Sequence, residues 1–126
     1  MGKNLFVLGH YFYNDQFITM SSKMLNNVRQ NALQGGIYYA NWDILMDWFA
    51  SAPYELSIVG KNSDLLRKEL NAYFLPNIIL SGTKSESNLP VLGGKWSEDE
   101  TLIYVCRNHV CQAPVSDLSA ALPMIK

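Results

Sequence analysis

At 126 residues and 48% hydrophobic content, the chain has the material for one folded unit or two small layers sharing a core, which excludes disorder and low complexity. Lys and Arg number 10 against 11 Asp and Glu, a net charge of −1, so no electrostatic footprint points to nucleic acid or to an anionic membrane surface as a partner. No apolar run approaches the roughly 18 residues that cross a bilayer, no signal organisation opens the chain, and 2 cysteines are too few for a secreted disulfide scaffold, so a cytoplasmic protein is expected.

Leu5-Phe6-Val7-Leu8 and Tyr11-Phe12-Tyr13 flank Gly9-His10 and predict a short helix that is apolar on nearly every side. Such a helix wants cover on all faces. The expected cover is a second copy of the chain, or an N-terminal region that precedes this one, acting through residues 5–13. His10 sits inside the helix and reads as a hydrogen-bonded core histidine rather than a catalytic base.

An amphipathic helix follows. Phe17, Met20, Met24, Leu25 and Val28 recur at three and four, Asn14 or Asp15 offers an N-cap, and Gly35-Gly36 supplies the stop. A third helix is predicted from about Trp42 to Ser51, with Asn41 as N-cap and Pro53 just beyond its end. Trp42, Leu45, Met46 and Phe49 form one apolar stripe and Ile44 and Trp48 a second, as on an inner helix of a larger helical array. Asp43 and Asp47 lie one turn apart beside these tryptophans, an arrangement that could serve a sugar. No second carboxylate stands opposite, and a solvated face with core aromatics is the better reading.

The periodicity changes at Pro53. Leu56 to Gly60 reads as a strand, Ser63 to Phe74 as a helix with Leu66, Leu70, Tyr73 and Phe74 inward, and Asn77 to Leu80 as a second strand, together a βαβ unit with parallel strands. Gly60-Lys61-Asn62-Ser63 joins strand to helix, but Glu55 stands where a phosphate loop needs its first glycine, so plain capping is expected. Ser81 to Thr101 is then a long polar loop, of the kind that tends to carry function. Its acidic run Glu98-Asp99-Glu100 reads as solvated.

A hairpin closes the pattern, with strands from Leu102 to Cys106 and Val110 to Gln112, before a short helix near Asp117 to Leu122. If Asn108-His109 is a two-residue turn, Arg107 faces Val110 and Cys106 faces Cys111 in a non-hydrogen-bonded pair, Cα atoms about 4.5 Å apart, with both side chains on one face. Three readings stay open for these cysteines. They can be small buried hydrophobes, which spacing and compartment favour, a labile cross-strand disulfide, or part of a metal site. Zinc needs four ligands, and Cys106, Cys111 and His109 supply three at most, on alternating faces. His109 otherwise reads as an exposed turn residue. The candidate redox pair is therefore Cys106 and Cys111, with His109, Trp42, Trp48 and Asp43 as weaker ligand candidates. No catalytic residue, metal or cofactor is assigned.

Read together, Asn4-Leu-Phe-Val-Leu-Gly-His-Tyr-Phe12, Met24-Leu-Asn-Asn-Val28, Tyr54-Glu-Leu-Ser-Ile-Val-Gly60, Phe74-Leu-Pro-Asn77, Tyr104-Val-Cys106 and Cys111-Gln-Ala-Pro114 resemble the C-terminal end of the YyaL family of thioredoxin-domain-containing proteins. The resemblance implies a parent with a thioredoxin-like domain and an (α/α)6 toroid of the six-hairpin glycosidase kind. It implies that this chain is a C-terminal piece: residues 1–52 as the last toroid helices and 53–126 as a small α/β unit carrying hairpin 102–112. On that resemblance the chain itself catalyses nothing and has a structural or interaction role. Its parent has a carbohydrate-related or redox-related one. The fold class expected is mixed α/β.

Overall fold

Asn14 is where the first two helices separate. In the computed structural model, which describes residues 1–125, the chain divides into two units, Met1–Ala52 and Pro53–Lys126. The fold is mixed α/β, as expected.

In the first unit α1 runs Gly2–Phe12 and ends on Tyr13, whose left-handed backbone returns its N–H to the Gly9 carbonyl. The Asn14 side chain then accepts from the Gln16 and Phe17 amides and starts α2, Asp15–Gly35. A 3-10 turn, Gly36–Tyr39, leads into α3, Ala40–Ala50. The expected Asn41 cap is not used, because the 3-10 turn carries the chain into α3 from Tyr39 and leaves Asn41 inside the helix. Phe6 centres the packing: its ring lies 4.7 Å from that of His10, 5.5 Å from Trp48 and 4.9 Å from Phe49. The buried Ser21 hydroxyl donates to the Gly2 carbonyl at 2.7 Å and ties α2 to the start of α1.

In the second unit the sheet order is β2-β1-β3-β4. β1 is Tyr54–Val59, α4 Ser63–Leu70, β2 Ile78–Thr83, β3 Leu102–Arg107, β4 Val110–Cys111 and α5 Leu118–Ala121. β1 pairs in parallel with β2, as the βαβ pattern predicts, and antiparallel with β3. Side chains alternate across a strand, so Tyr54, Leu56 and Ile58 point to one face with Ile103 and Val105. There they meet Leu70 of α4 and Leu118 and Ala121 of α5 in the core of this unit. Leu56, Ile103 and Val105 have no exposed surface, and each stabilises the unit by about 2 kcal/mol through burial alone.

Two sequence expectations need correction here. The α4 helix stops at Leu70 rather than Phe74, because the Tyr73 amide turns back to the Leu70 carbonyl. Tyr73 and Phe74 therefore point outward, 51% and 90% exposed. β2 extends to Thr83, so three residues assigned to the long loop belong to the sheet. Gly60 ends β1 with φ 138, and a Cβ there would lie 2.5 Å from the Thr101 Cα, so only glycine admits β3 this closely.

Candidate functional site

Cys106 and Cys111 are joined in a disulfide, their Cα atoms 3.8 Å apart. Asn108 and His109 both have positive φ, 50° and 63°, the requirement of a two-residue type I′ turn. That turn fixes the register Cys106↔Cys111 and Arg107↔Val110, as the spacing predicts. The reading of the cysteines as two buried hydrophobic thiols is corrected. The register brings the sulfurs into bonding reach, and they are unlike in setting: Cys106 is 1% exposed, whereas Cys111 lies at the surface. With both sulfurs in one bond, neither is a thiolate donor for a metal in this state.

The face of the sheet opposite the core carries the polar groups. Glu55 is paired with Cys106 and Ser57 with Tyr104 across β1 and β3, and alternation sends all four side chains to this face. Glu55 and Ser57 have no exposed surface. On the other side Ser57 meets Ser81 of β2, the two hydroxyls 2.9 Å apart.

Lys95 comes in from the long loop. Pro90–Leu92 forms a 3-10 turn that buries Val91 and Leu92, and the Lys95 amide donates to the Leu92 carbonyl. The Tyr104 hydroxyl donates to the Lys95 carbonyl at 3.1 Å, so the backbone is held from both sides. The side chain is 9% exposed. Its ammonium donates to Ser57 Oγ at 3.2 Å and to Cys106 Sγ at 3.5 Å, and lies 5.4 Å from the Tyr104 ring centroid. Burial pushes the Lys95 pKa down, and the charge of Glu55 partly restores it. His109 Nδ1 stands 3.2 Å from Glu55 Oε1, so this turn residue reaches a buried carboxyl.

A buried ammonium thus lies against the buried sulfur of the disulfide, and a thiolate formed there would be stabilised by that cation. Sequence reasoning found the cysteines and missed Lys95, Glu55 and Ser57. Their signal was weak but present: a polar residue at every second position of an otherwise apolar strand, and an unusually long loop next to it.

The ligand candidates Trp42, Trp48 and Asp43 belong to the first unit. Trp48 is buried under Phe6 with the Lys3 ammonium 5.2 Å from its ring, so its faces serve packing. Trp42 is half-buried against Gly2, while Asp43 and Asp47 point outward. At the start of α4 the Asn62 amide donates to Thr101 Oγ1 and the Ser63 amide to the Gly60 carbonyl. Asp64 follows, in ion pairs with Arg67 and Lys84, which leaves this helix start poorly suited to an anion. No helix among the described residues is long and apolar enough to cross a membrane. No family model, no curated protein and no solved structure matches the chain.

Proposed function

We propose that the unit from Pro53 onward is a redox-responsive module whose working part is a reversible Cys106–Cys111 disulfide. The observation that carries this is the Lys95 ammonium 3.5 Å from Cys106 Sγ, a fixed positive charge beside the sulfur that turns negative when the bond opens. Exposed Cys111 supplies the point of access. A cytoplasmic setting agrees with this use, since disulfides there are chiefly transient or sensing ones.

Opening the bond acts on a small element. β4 is held to β3 by two residue pairs, the Gln112 amide on the Val105 carbonyl, and the disulfide. β3 itself is held along five pairs with β1 and by two hydrogen bonds between Ile103 and Val115. Reduction is therefore expected to loosen the hairpin tip while the sheet stays. A loop this short contributes about 2 kcal/mol in the chain-entropy account, and the unit loses about that much on reduction. Counting alkylated thiols by mass across graded glutathione buffers is expected to show none, then two, then none again on reoxidation. Thiols that stay free under oxidising buffer, or a bond that yields only after denaturation, would sink the proposal.

A second reading has an observation of its own. Within residues 5–13, Leu8, Phe12 and Tyr13 are 38%, 49% and 38% exposed despite their apolar character. Such exposure favours an interaction role for this segment, by self-association or by meeting another region of the same protein, while the reading as a non-catalytic structural portion of a YyaL-like protein rests on the sequence resemblance alone. Sedimentation over a range of concentrations is expected to show association that Phe12→Asp abolishes. A monomer at every concentration would end the self-association branch.

A further inference from the structure

Given the reversible disulfide proposed for this unit, we infer that the hairpin exchanges with external thiols in one direction only: Cys111 receives the incoming sulfur and Cys106 is always the sulfur expelled. The ligand class is a thiol, carried by a small molecule or by an exposed cysteine of another protein.

The asymmetry follows from three features. Exchange needs the attacking thiolate in line with the sulfur–sulfur bond, on the side away from the leaving sulfur. Cys106, 1% exposed in the middle of a sheet face, offers no such approach, whereas Cys111 sits on the exposed two-residue edge strand. The departing thiolate also gains most where a cation waits for it. Lys95 is placed at Cys106 Sγ, within hydrogen-bond reach. Ser57 Oγ accepts from that ammonium and the Tyr104 hydroxyl donates to the Lys95 backbone carbonyl, so Lys95 is anchored to the sheet face and does not follow the hairpin tip when the tip moves.

In the first step an external thiolate attacks Cys111 Sγ. A new bond forms between the two, the Cys106–Cys111 bond breaks, and the electron pair stays on Cys106 Sγ as a thiolate paired with Lys95. A second external thiolate then attacks the sulfur of the first. It releases the external disulfide and leaves Cys111 as a thiolate that takes a proton from water. Two thiols are oxidised and one protein disulfide is reduced. Run backwards, an external disulfide oxidises the hairpin through the same Cys111 adduct.

The test uses the full chain with Cys106→Ser and with Cys111→Ser, each incubated with oxidised glutathione or with a carrier protein whose single cysteine is activated as an aromatic mixed disulfide. Intact mass is expected to show a stable adduct on Cys106→Ser, formed about tenfold or more faster than on Cys111→Ser. The aromatic leaving group speeds its arm by itself, so each rate is divided by that of free cysteine with the same reagent, and the larger ratio identifies which source of thiol the hairpin suits. Equal rates, preference for Cys106, or no adduct on either variant while the wild-type bond still opens and closes would overturn the direction without touching the reversible disulfide. A wild-type bond that never opens removes the reversible disulfide itself. Should either variant fail to fold, limiting iodoacetamide on the reduced wild type gives the same answer by peptide mapping. Cys111 is expected to be labelled first, and first labelling of Cys106 overturns the inference.

Discussion

Lys95→Met is expected to make the Cys106–Cys111 disulfide about ten- to a hundredfold harder to reduce at neutral pH. Methionine keeps the length and apolar stem of the side chain and removes the charge and its donors. At Cys106 the oxidised state offers Lys95 a weak sulfur acceptor, whereas after reduction the same position would hold a thiolate. The difference is that of a charge-assisted hydrogen bond in a buried site, about 1.5–3 kcal/mol, and each 1.4 kcal/mol is about tenfold. For a two-electron couple this is a midpoint about 30–60 mV more negative. The sign follows from which state the cation favours: it stabilises the reduced one, so its loss favours the disulfide. Thiol counts across glutathione buffers give the midpoint of each protein. An unchanged or more positive midpoint for Lys95→Met would mean that the ammonium does not serve the sulfur.

Glu55→Ala is expected to lower stability by about 3 kcal/mol at neutral pH, and the loss is expected to shrink as the pH rises. Glu55 lies on a central strand with no exposed surface, and its charge is what offsets the burial of Lys95. Removing that charge leaves the Lys95 ammonium buried with less compensation, and a buried polar group left short of compensation typically costs about 1–3 kcal/mol, more when it is charged. Burial already holds the Lys95 pKa below the ordinary lysine range. Since the folded value is below the unfolded one, the unfolded chain binds more protons between the two, and stability rises with pH across that window. Without Glu55 the folded pKa falls further, so the window opens at lower pH and the deprotonated amine no longer penalises the fold. Urea unfolding of both proteins at neutral and alkaline pH measures this. A loss of the same size at both would place the role of Glu55 in packing rather than in charge.

The parts of the fold written in local chemistry were legible in the sequence. Asn14 and Gly35 bracket α2, and the change at Pro53 marks the start of β1. The Asn108-His109 turn sets a hairpin register that puts one cysteine opposite the other. What was not legible depends on pairings distant in sequence. Glu55 was left outside β1, and nothing near it says that Cys106 would lie opposite and His109 would reach back to it. Lys95 follows two glycines in a polar loop and looks like a solvated residue. It is drawn inward because Val91 and Leu92 bury ahead of it and Tyr104 holds its carbonyl. Tyr73 and Phe74 continued an apolar helical stripe, yet the chain turned out of the helix after Leu70, since tertiary packing rather than periodicity decides where a short helix ends.

The midpoint of the wild-type disulfide in glutathione buffers at neutral pH tests the central claim most directly. Structural disulfides typically lie below about −300 mV, out of reach of the glutathione pool. With an exposed Cys111 and a Lys95 ammonium at Cys106, the midpoint is expected above that value, and two thiols should appear and vanish together as the buffer is cycled. A disulfide that stays closed in every glutathione buffer while the protein remains folded would contradict a redox-responsive hairpin.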